Sequence, residues 1–359
     1  MLLRQLWLTD FRCYDHAEVT LADGLTAVVG ENGEGKTNLL EAVGYLATLS
    51  SFRGAPNEAL VRVGATQATV RAEAEREGRS LLIEAELVPS GRSRIQVNRQ
   101  RLPRARDLLG ALRVSVFAPD DLELVKGGPA ERRRYLDDAL VAAHPKHDQL
   151  RTELDRVLRQ RNALLRQSGG RLSPEVEVTL DVWDAKLIEV SEALVAERLA
   201  LLARLAPALA LAYDQVAHVE AEVTATYRSA WLDQGMVAAL AAARRDELRR
   251  GVSLVGPHRD DLDLAIGGLP GRTHASQGEQ RSLALALRLA AHQVVTEAAG
   301  SPPVLLLDDV FSELDPGRSR ALLESLPRGQ TLLTSAGGLP PGAEPDAILV
   351  VAAGRVSPG

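Results

Sequence analysis

Cysteine is nearly absent from this chain. The one cysteine, Cys13, excludes a disulfide within the chain and any multi-cysteine zinc site, and it fits a reducing compartment. Aromatic residues make up only 3% of the 359 positions, so platforms on which successive bases stack cannot dominate. An excess of positive charge is also missing. The net charge is −6, so any nucleic-acid site must be a local patch. No apolar run approaches the ~18–20 residues that span a bilayer. The start, Met1 to Phe11, carries Arg4 and Asp10 inside its short apolar run and does not read as a signal peptide. A cytoplasmic location is the default expectation. Internal repeats are missing, and no low-complexity segment goes beyond a richness in Ala and Leu. What remains is ordinary for a globular protein, with 45% hydrophobic and 25% charged residues. The length suits two domains, or one domain with a large insertion.

The most informative stretch is Gly30-Glu31-Asn32-Gly33-Glu34-Gly35-Lys36-Thr37. It has the form G-x-x-x-x-G-K-[ST], the phosphate-binding P-loop (Walker A). An apolar run ending in Val28 and Val29 leads in as a strand would, and Leu39, Leu40, Val43 and Leu46 follow at helical spacing. Glycine lets the loop turn tightly enough to aim its N–H groups at phosphate oxygens. The helix start adds a positive dipole end at the same place. Lys36 can reach β- and γ-phosphates, and Thr37 can offer its hydroxyl to Mg²⁺.

Residues 2–9 read as a first strand around Leu6 and Leu8, Leu25 to Val29 as the strand before the P-loop, and 36–48 as a helix with a loop at 50–54. Two alternating segments within 66–88 form a hairpin turning at Glu77-Gly78. Residues 89–106 hold Arg92, Arg94, Arg99, Arg101, Arg104 and Arg106 and no acidic residue, with a turn at Asn98-Arg99. This basic hairpin is either a phosphate-contacting patch or a charged edge that blocks unwanted strand pairing. Val114, Val116 and Phe117 read as a short strand. Gly127-Gly128-Pro129 is a breaker cluster and a domain boundary. The next helix opens with Arg132, Arg133 and Arg134, unfavourable for its dipole. They are expected on a solvated face or paired with Asp137 and Asp138. Residues 147–167 have helical periodicity, and Ser173-Pro174 restarts a helix with Ser as cap and Pro at its first position. Together these helices suit an antiparallel hairpin that Pro207 kinks or ends. Residues 213–232 (Val216, Val219, Val223, Tyr227) suggest β structure, and 236–250 another helix.

Near the C-terminus, Val304-Leu305-Leu306-Leu307-Asp308-Asp309 is a buried strand ending in two acids, the Walker B form. Asp308 would hold the water shell of Mg²⁺, and Asp309 would polarise the attacking water. Upstream, Ser276-Gln277-Gly278-Glu279-Gln280 opens a helix. By itself it is an S-x-x-E capping box. Followed by the Walker B strand and by Ser312-Glu313-Leu314-Asp315, it has the order of the ABC ATPase signature segment, Walker B and D-loop. Thr37 and Asp308 lie 271 positions apart, too far for a simple P-loop kinase.

This split arrangement resembles the DNA-repair branch of ABC ATPases, the structural-maintenance-of-chromosomes (SMC) proteins and their relatives. The short insertion is similar to that of the RecF family. Phe11-Arg12, the Walker A box, residues 117–122, Lys126-Gly127-Gly128-Pro129 with the three arginines, residues 160–165, Gly256-Pro257-His258-Arg259-Asp260-Asp261, Ser276–Gln280 and residues 307–315 carry the likeness. Cys13 stands where that family often has Asn, and Glu279 where Gln is common. The resemblance implies an α/β fold: a split ABC-type P-loop ATPase head, a mixed sheet with flanking helices, carrying an inserted, mainly helical arm. The head is expected at 1–126 and 252–359 and the arm at 127–251. It implies that Gly30 to Thr37 and Arg12 bind ATP in one subunit, while Ser276, Gln277 and Gly278 of a second copy close on the γ-phosphate. Lys36, Asp309 and Ser276 are then the catalytic set, with Thr37 and Asp308 on Mg²⁺. It further implies an ATP-dependent homodimer on duplex or gapped DNA, a weak DNA-stimulated ATPase, and cooperation with RecR and RecO to load a recombinase. No clear Q-loop glutamine is present, and the region near Ser115 is the expected place for that loop. The switch histidine of transporter ATPases is replaced by Thr334-Ser335, which implies slow hydrolysis. A transporter's nucleotide-binding subunit and a static SMC-like linker head are the alternative readings.

Overall fold

The computed structural model describes residues 1–76, 78–217 and 221–359. The chain opens with strands β1 (Leu2–Phe11), β2 (Tyr14–Thr20) and β3 (Leu25–Val29), helix α1 (Lys36–Thr48) and a single turn, α2 (Asn57–Leu60). Strands β4 (Ala68–Arg76), β5 (Arg79–Leu87), β6 (Arg94–Val97), β7 (Gln100–Arg101) and β8 (Val114–Phe117) follow. Next come helices α3 (Glu123–Lys126), α4 (Pro129–Ala143), α5 (Asp148–Gln167) and α6 (Pro174–Ala217), strand β9 (Val223–Arg228) and helix α7 (Met236–Arg250). The rest is β10 (Asp261–Ile266), β11 (Leu269–Pro270), α8 (Gly271–His274), α9 (Gln277–Ala299), β12 (Val304–Leu307), α10 (Pro316–Ser325), β13 (Thr331–Ser335), β14 (Ala347–Ala352) and β15 (Arg355–Pro358).

Packing divides the chain elsewhere than at the expected boundaries. One unit comprises Met1–Leu122, Leu211–Glu220 and Arg281–Gly359, the other Glu123–Ala210 and Ala221–Gln280. Residues 261–270, expected in the head, join the second unit because β10 pairs antiparallel with β9 in the sheet β11-β10-β9.

The first unit holds two six-stranded sheets. One is antiparallel, in the order β2-β1-β4-β5-β6-β7. Its inner face follows the period of two: Val70, Ala72 and Ala74 on β4 and Ile83, Ala85 and Leu87 on β5 are fully buried. On β1 a register shift between Leu3 and Gln5 moves the buried set from Leu3 to Leu6 and Leu8. Strand β2, which the sequence reading left out, pairs with β1. The hairpin expected within 66–88 forms as β4–β5, although Glu77 of its turn lies outside the described residues. The second sheet has the order β15-β14-β3-β13-β12-β8, parallel except for the β14–β15 pair.

Within this unit, Ser115 is not part of a loop. It sits inside β8 opposite Leu305, and its hydroxyl meets His292 Nδ1 of α9 at 2.9 Å. His292 is 3% exposed, and burial pulls its pKa from 6.5 down to about 4. The unfolded chain therefore binds more protons between about pH 6.5 and 4, and stability falls as pH falls through that window. His292→Gln should reduce the stability lost between pH 7 and pH 5, measured by urea unfolding, by about 1–2 kcal/mol. An unchanged pH dependence would show that His292 is not buried as the neutral form.

In the second unit, Leu165 of α5 packs with Leu180 of α6 and Leu248 of α7. Arg161 bonds Asp184, so residue numbers rise on one helix as they fall on the other, and α5 and α6 run antiparallel. Helix α6 does not end at Pro207. An interior proline costs about 3 kcal/mol, but Leu205, Ala208, Leu209, Ala212 and Tyr213 around it are buried and hold the helix together. Val216 is accordingly helical, β structure begins only at Val223, and Val219 lies outside the described residues. The three arginines of α4 have other partners than Asp137 and Asp138. Arg132 binds Asp261 through Nε and Nη2 and donates to the carbonyl of Gly127. Arg133 donates to the carbonyl of Asp260, and Arg134 to Glu131. Asp137 is taken by the buried Arg198 and Asp138 by Arg151. Two of the three charges at the start of α4 are thus taken by Asp260 and Asp261, and the third, Arg134, lies on an exposed face.

Candidate nucleotide-binding site

Three parallel strands bring the separated motifs together. Strand β13 lies between β3 and β12. Leu333 is opposite both Ala27 and Leu307, and Ser335 is opposite Val29. The segments after β3, β12 and β13 therefore leave the sheet at one edge, the carboxyl edge, where ligands of open α/β sheets bind.

The P-loop spans the gap from β3 to α1. Gly33 and Gly35 have φ of +87° and +117°, left-handed conformations that favour glycine. A side chain at Gly30 would collide with the carbonyl oxygen of Val351, and one at Gly35 with Cys13 Sγ. The loop is thus seated against β14 on one side and the β1–β2 turn on the other. Tyr14 donates its hydroxyl to the Gly35 carbonyl at 2.9 Å, and burial pushes the pKa of that phenol up. The side chain of Glu34 turns away from the cradle and accepts from the Ala353 N–H. Lys36 is buried, and its ammonium donates to the carbonyls of Gly30 at 2.9 Å and Glu31 at 2.7 Å. Among the described residues no carboxylate pairs with it. A buried cation bonded only to neutral carbonyls beside loop N–H groups fits an anionic ligand such as a nucleotide phosphate.

The Walker B acids close the other side. Thr37 Oγ1 donates to Asp308 Oδ1 at 2.8 Å, and Thr334 Oγ1 donates to the same oxygen at 2.9 Å. Burial raises the pKa of Asp308, while the two hydroxyls work in the opposite direction. Arg53, in the loop after α1, adds a favourable positive charge for the ionised form. Asp309 adopts φ +48°, and its N–H is fixed on Thr334 Oγ1 at 2.8 Å. A hydroxyl and a carboxylate side by side form a hard oxygen pair that fits Mg²⁺. Among the described residues no cluster of three or more His, Cys, Asp or Glu could hold a metal by itself.

Arg12 sits beside the P-loop helix. Its Nε and Nη2 each bind Glu41 at 2.7 Å, and Nη1 donates to the Ala59 carbonyl. Glu41 lies on α1 and is fully buried, so a cation must neutralise it. In this structure Arg12 anchors the P-loop helix. Ser276, Gln277 and Gly278 lie at the start of α9, in the second unit. The capping box there is formed: Ser276 N–H donates to Glu279 Oε2 at 2.7 Å, and Glu279 N–H donates to Ser276 Oγ at 3.3 Å. Buried Gln280 ties this first turn to the carbonyls of Gly271 and Arg272. Asp315 of the D-loop segment caps α10 by accepting from Arg318 N–H.

Sequence reasoning missed Thr334, Glu41, Tyr14 and Arg53. Only Thr334 had a signal, its place at the end of the strand where transporter ATPases carry histidine.

The sequence matches the RecF/RecN/SMC N terminal domain family over residues 2–333. It is 46% identical over 352 residues to the DNA replication and repair protein RecF of Streptomyces avermitilis, covering 94% of this chain and 93% of that one. It is 43% identical over 373 residues to RecF of Arthrobacter sp. (strain FB24), with the same coverage. The fold is similar to the solved structure of the recombination mediator protein RecF-ATP in the RecFOR pathway, with TM-score 0.92, 28% identity, and 100% and 97% of the two chains covered. The Smc head domain of Pyrococcus furiosus shares the fold at TM-score 0.59 and 18% identity, over 100% of this chain and 96% of that one. With a joined Walker A and B site on a parallel sheet edge, and relatives at this identity over nearly its whole length, the chain belongs to the RecF family of ABC-type ATPases.

Proposed function

We propose that the chain is an ATP-dependent DNA-binding mediator of recombination repair. The observation that carries this is the Thr37–Asp308 contact of 2.8 Å across 271 positions, which makes one nucleotide site from both ends of the chain. The names of its relatives supply replication and repair as the setting. ATP occupies the Gly30–Thr37 cradle with its charge met by Lys36, and Mg²⁺ is held by Thr37 and Asp308. Arg12, held on Glu41 beside the P-loop helix, contributes to binding the nucleotide. The α9 start of a second copy, with Ser276, Gln277 and Gly278, caps the γ-phosphate, so that ATP links two chains head to tail. Asp309 orients the attacking water, and hydrolysis releases the pair. Where transporter ATPases place a histidine, Thr334 is committed to holding both Walker B acids, so hydrolysis is slow and ATP acts as a timer. The pair clamps duplex or gapped DNA, which stimulates the weak ATPase, and RecR and RecO assist it in loading a recombinase.

The test is sedimentation of the chain with and without ATP, each with and without duplex DNA. The proposal expects an ATP-dependent dimer and joint sedimentation with DNA only when ATP is present. A monomer under all four conditions would refute it. Ser276→Arg should leave ATP affinity within about twofold, because the P-loop is untouched, yet abolish the dimer by placing a bulky cation at the α9 start. A variant that still dimerises with ATP would remove the head-to-tail arrangement.

A further inference from the structure

The β6–β7 hairpin and its flanks carry six arginines, Arg92, Arg94, Arg99, Arg101, Arg104 and Arg106, and all six are exposed. Only two have a carboxylate partner among the described residues: Arg94 with Glu86 at 3.6 Å and Arg104 with Asp107 at 3.1 Å. Protection of a sheet edge does not account for them. The edge strand β7 is two residues long and contains Arg101 alone. Arg94 lies on the strand inside it, Arg92, Arg99 and Arg104 are in turns and loops, and Arg106 is in a short 3-10 helix, Ala105–Leu108.

The turn adds an independent observation. Asn98 and Arg99 have φ of +50° and +64°, and Val97 pairs with Gln100, so the loop is a two-residue turn with both central residues left-handed. Asn followed by Gly is the favoured pair for that geometry. Asn98 fills its role. Its side chain accepts from the Leu82 N–H, and its own N–H donates to the Leu82 carbonyl, which ties the tip to β5. Arg99 stands where glycine would be least strained, with its guanidinium in solvent. A strained residue with no internal partner points to an external one.

We infer that this hairpin is the surface of the chain that grips the phosphodiester backbone of duplex DNA. Guanidinium forks match phosphate oxygens. The stretch from residue 89 to 106 has no acidic residue and no aromatic one, so it suits backbone contact and not base stacking. The inference rests on the DNA-binding reading above and adds the place where DNA is held.

Arg99→Gly gives opposite signs for fold and function. It relieves the turn, so the melting temperature should stay the same or rise. The affinity for a fluorescent duplex, measured by anisotropy with ATP, should fall about eightfold near 0.1 M salt. The slope of log affinity against log salt between 50 and 200 mM should become shallower by about 0.9 for that one lost phosphate contact. Adding Arg92→Ser, Arg101→Ser and Arg106→Ser should flatten it by about 3.6 in all, with ATP binding unchanged. Wild-type slopes in both variants would overturn the hairpin assignment while leaving DNA binding intact, and would assign the arginines to a non-nucleic-acid partner. A wild-type chain that binds no duplex with ATP would overturn both readings.

Discussion

Lys36→Ala is expected to abolish ATP binding at millimolar nucleotide, and with it every ATP-dependent property of the chain. The side chain is buried and bonded to the Gly30 and Glu31 carbonyls. Alanine removes the buried cation of the cradle and the ties that hold the loop over the start of α1. Loop N–H groups and the helix dipole remain, but the dipole contributes only about 0.3–1 kcal/mol at an exposed terminus. Hydrogen bonds to a charged donor are stronger, about 1.5–3 kcal/mol each. Two such bonds together correspond to about two to four orders of magnitude in affinity. Titration calorimetry with ATP is the direct measurement. Retention of wild-type affinity would mean that the nucleotide binds elsewhere. Because the melting temperature should move little, a folded but nucleotide-blind chain is the expected product.

The largest effect on stability is expected away from the nucleotide, at Arg161. This guanidinium is fully buried and spends all three nitrogens on Asp184 at 2.7 Å, Ser253 at 2.9 Å and Glu247 at 2.6 Å. It thereby joins α5, α6, α7 and the segment after α7. Arg161→Ala leaves the fully buried Glu247 without its cation and opens a cavity. Breaking a buried pair in this way costs about 3–5 kcal/mol. Glu247 Oε1 also accepts from the Leu254 N–H at 2.7 Å, so Arg161→Ala combined with Glu247→Gln should recover part of the loss by removing the stranded charge while keeping an acceptor. Urea unfolding of both variants measures this. A loss below about 1 kcal/mol for Arg161→Ala would show that water or a rearranged cation replaces the guanidinium.

Much of the nucleotide site could be read without coordinates because its parts are local. The spacing of Gly30, Gly35, Lys36 and Thr37 specifies a backbone shape by itself. An all-apolar strand ending in two acids specifies a buried strand whose carboxylates emerge at its end. The same holds for the long helices, whose periodicity spans many turns. The charged residues were harder to place. Arg12 was expected at the nucleotide, and its bond to the buried Glu41 carried no signal in the sequence. The arginines of α4 were expected on a solvated face or on Asp137 and Asp138, their neighbours in sequence. Arg132 and Arg133 were drawn to Asp261 and Asp260 because β9 and β10 pair and bring that loop to them, a contact of nearly 130 positions, while Arg134 stays exposed on Glu131.

The P-loop, the Walker B acids, the capped start of α9 and the arginine-rich 92–106 stretch are properties of short segments, fixed by backbone preference and residue chemistry. Tertiary structure decided which of them meet. Thr334 became the bridge to Asp308 and Asp309 only because β13 runs between β3 and β12. Arg99 became notable only when its turn proved left-handed at both central positions. Long-range pairing carries no local signal: a hydroxyl or a guanidinium has the same propensity wherever it sits, and its role is set by which buried charge or open surface the sheet order brings to it.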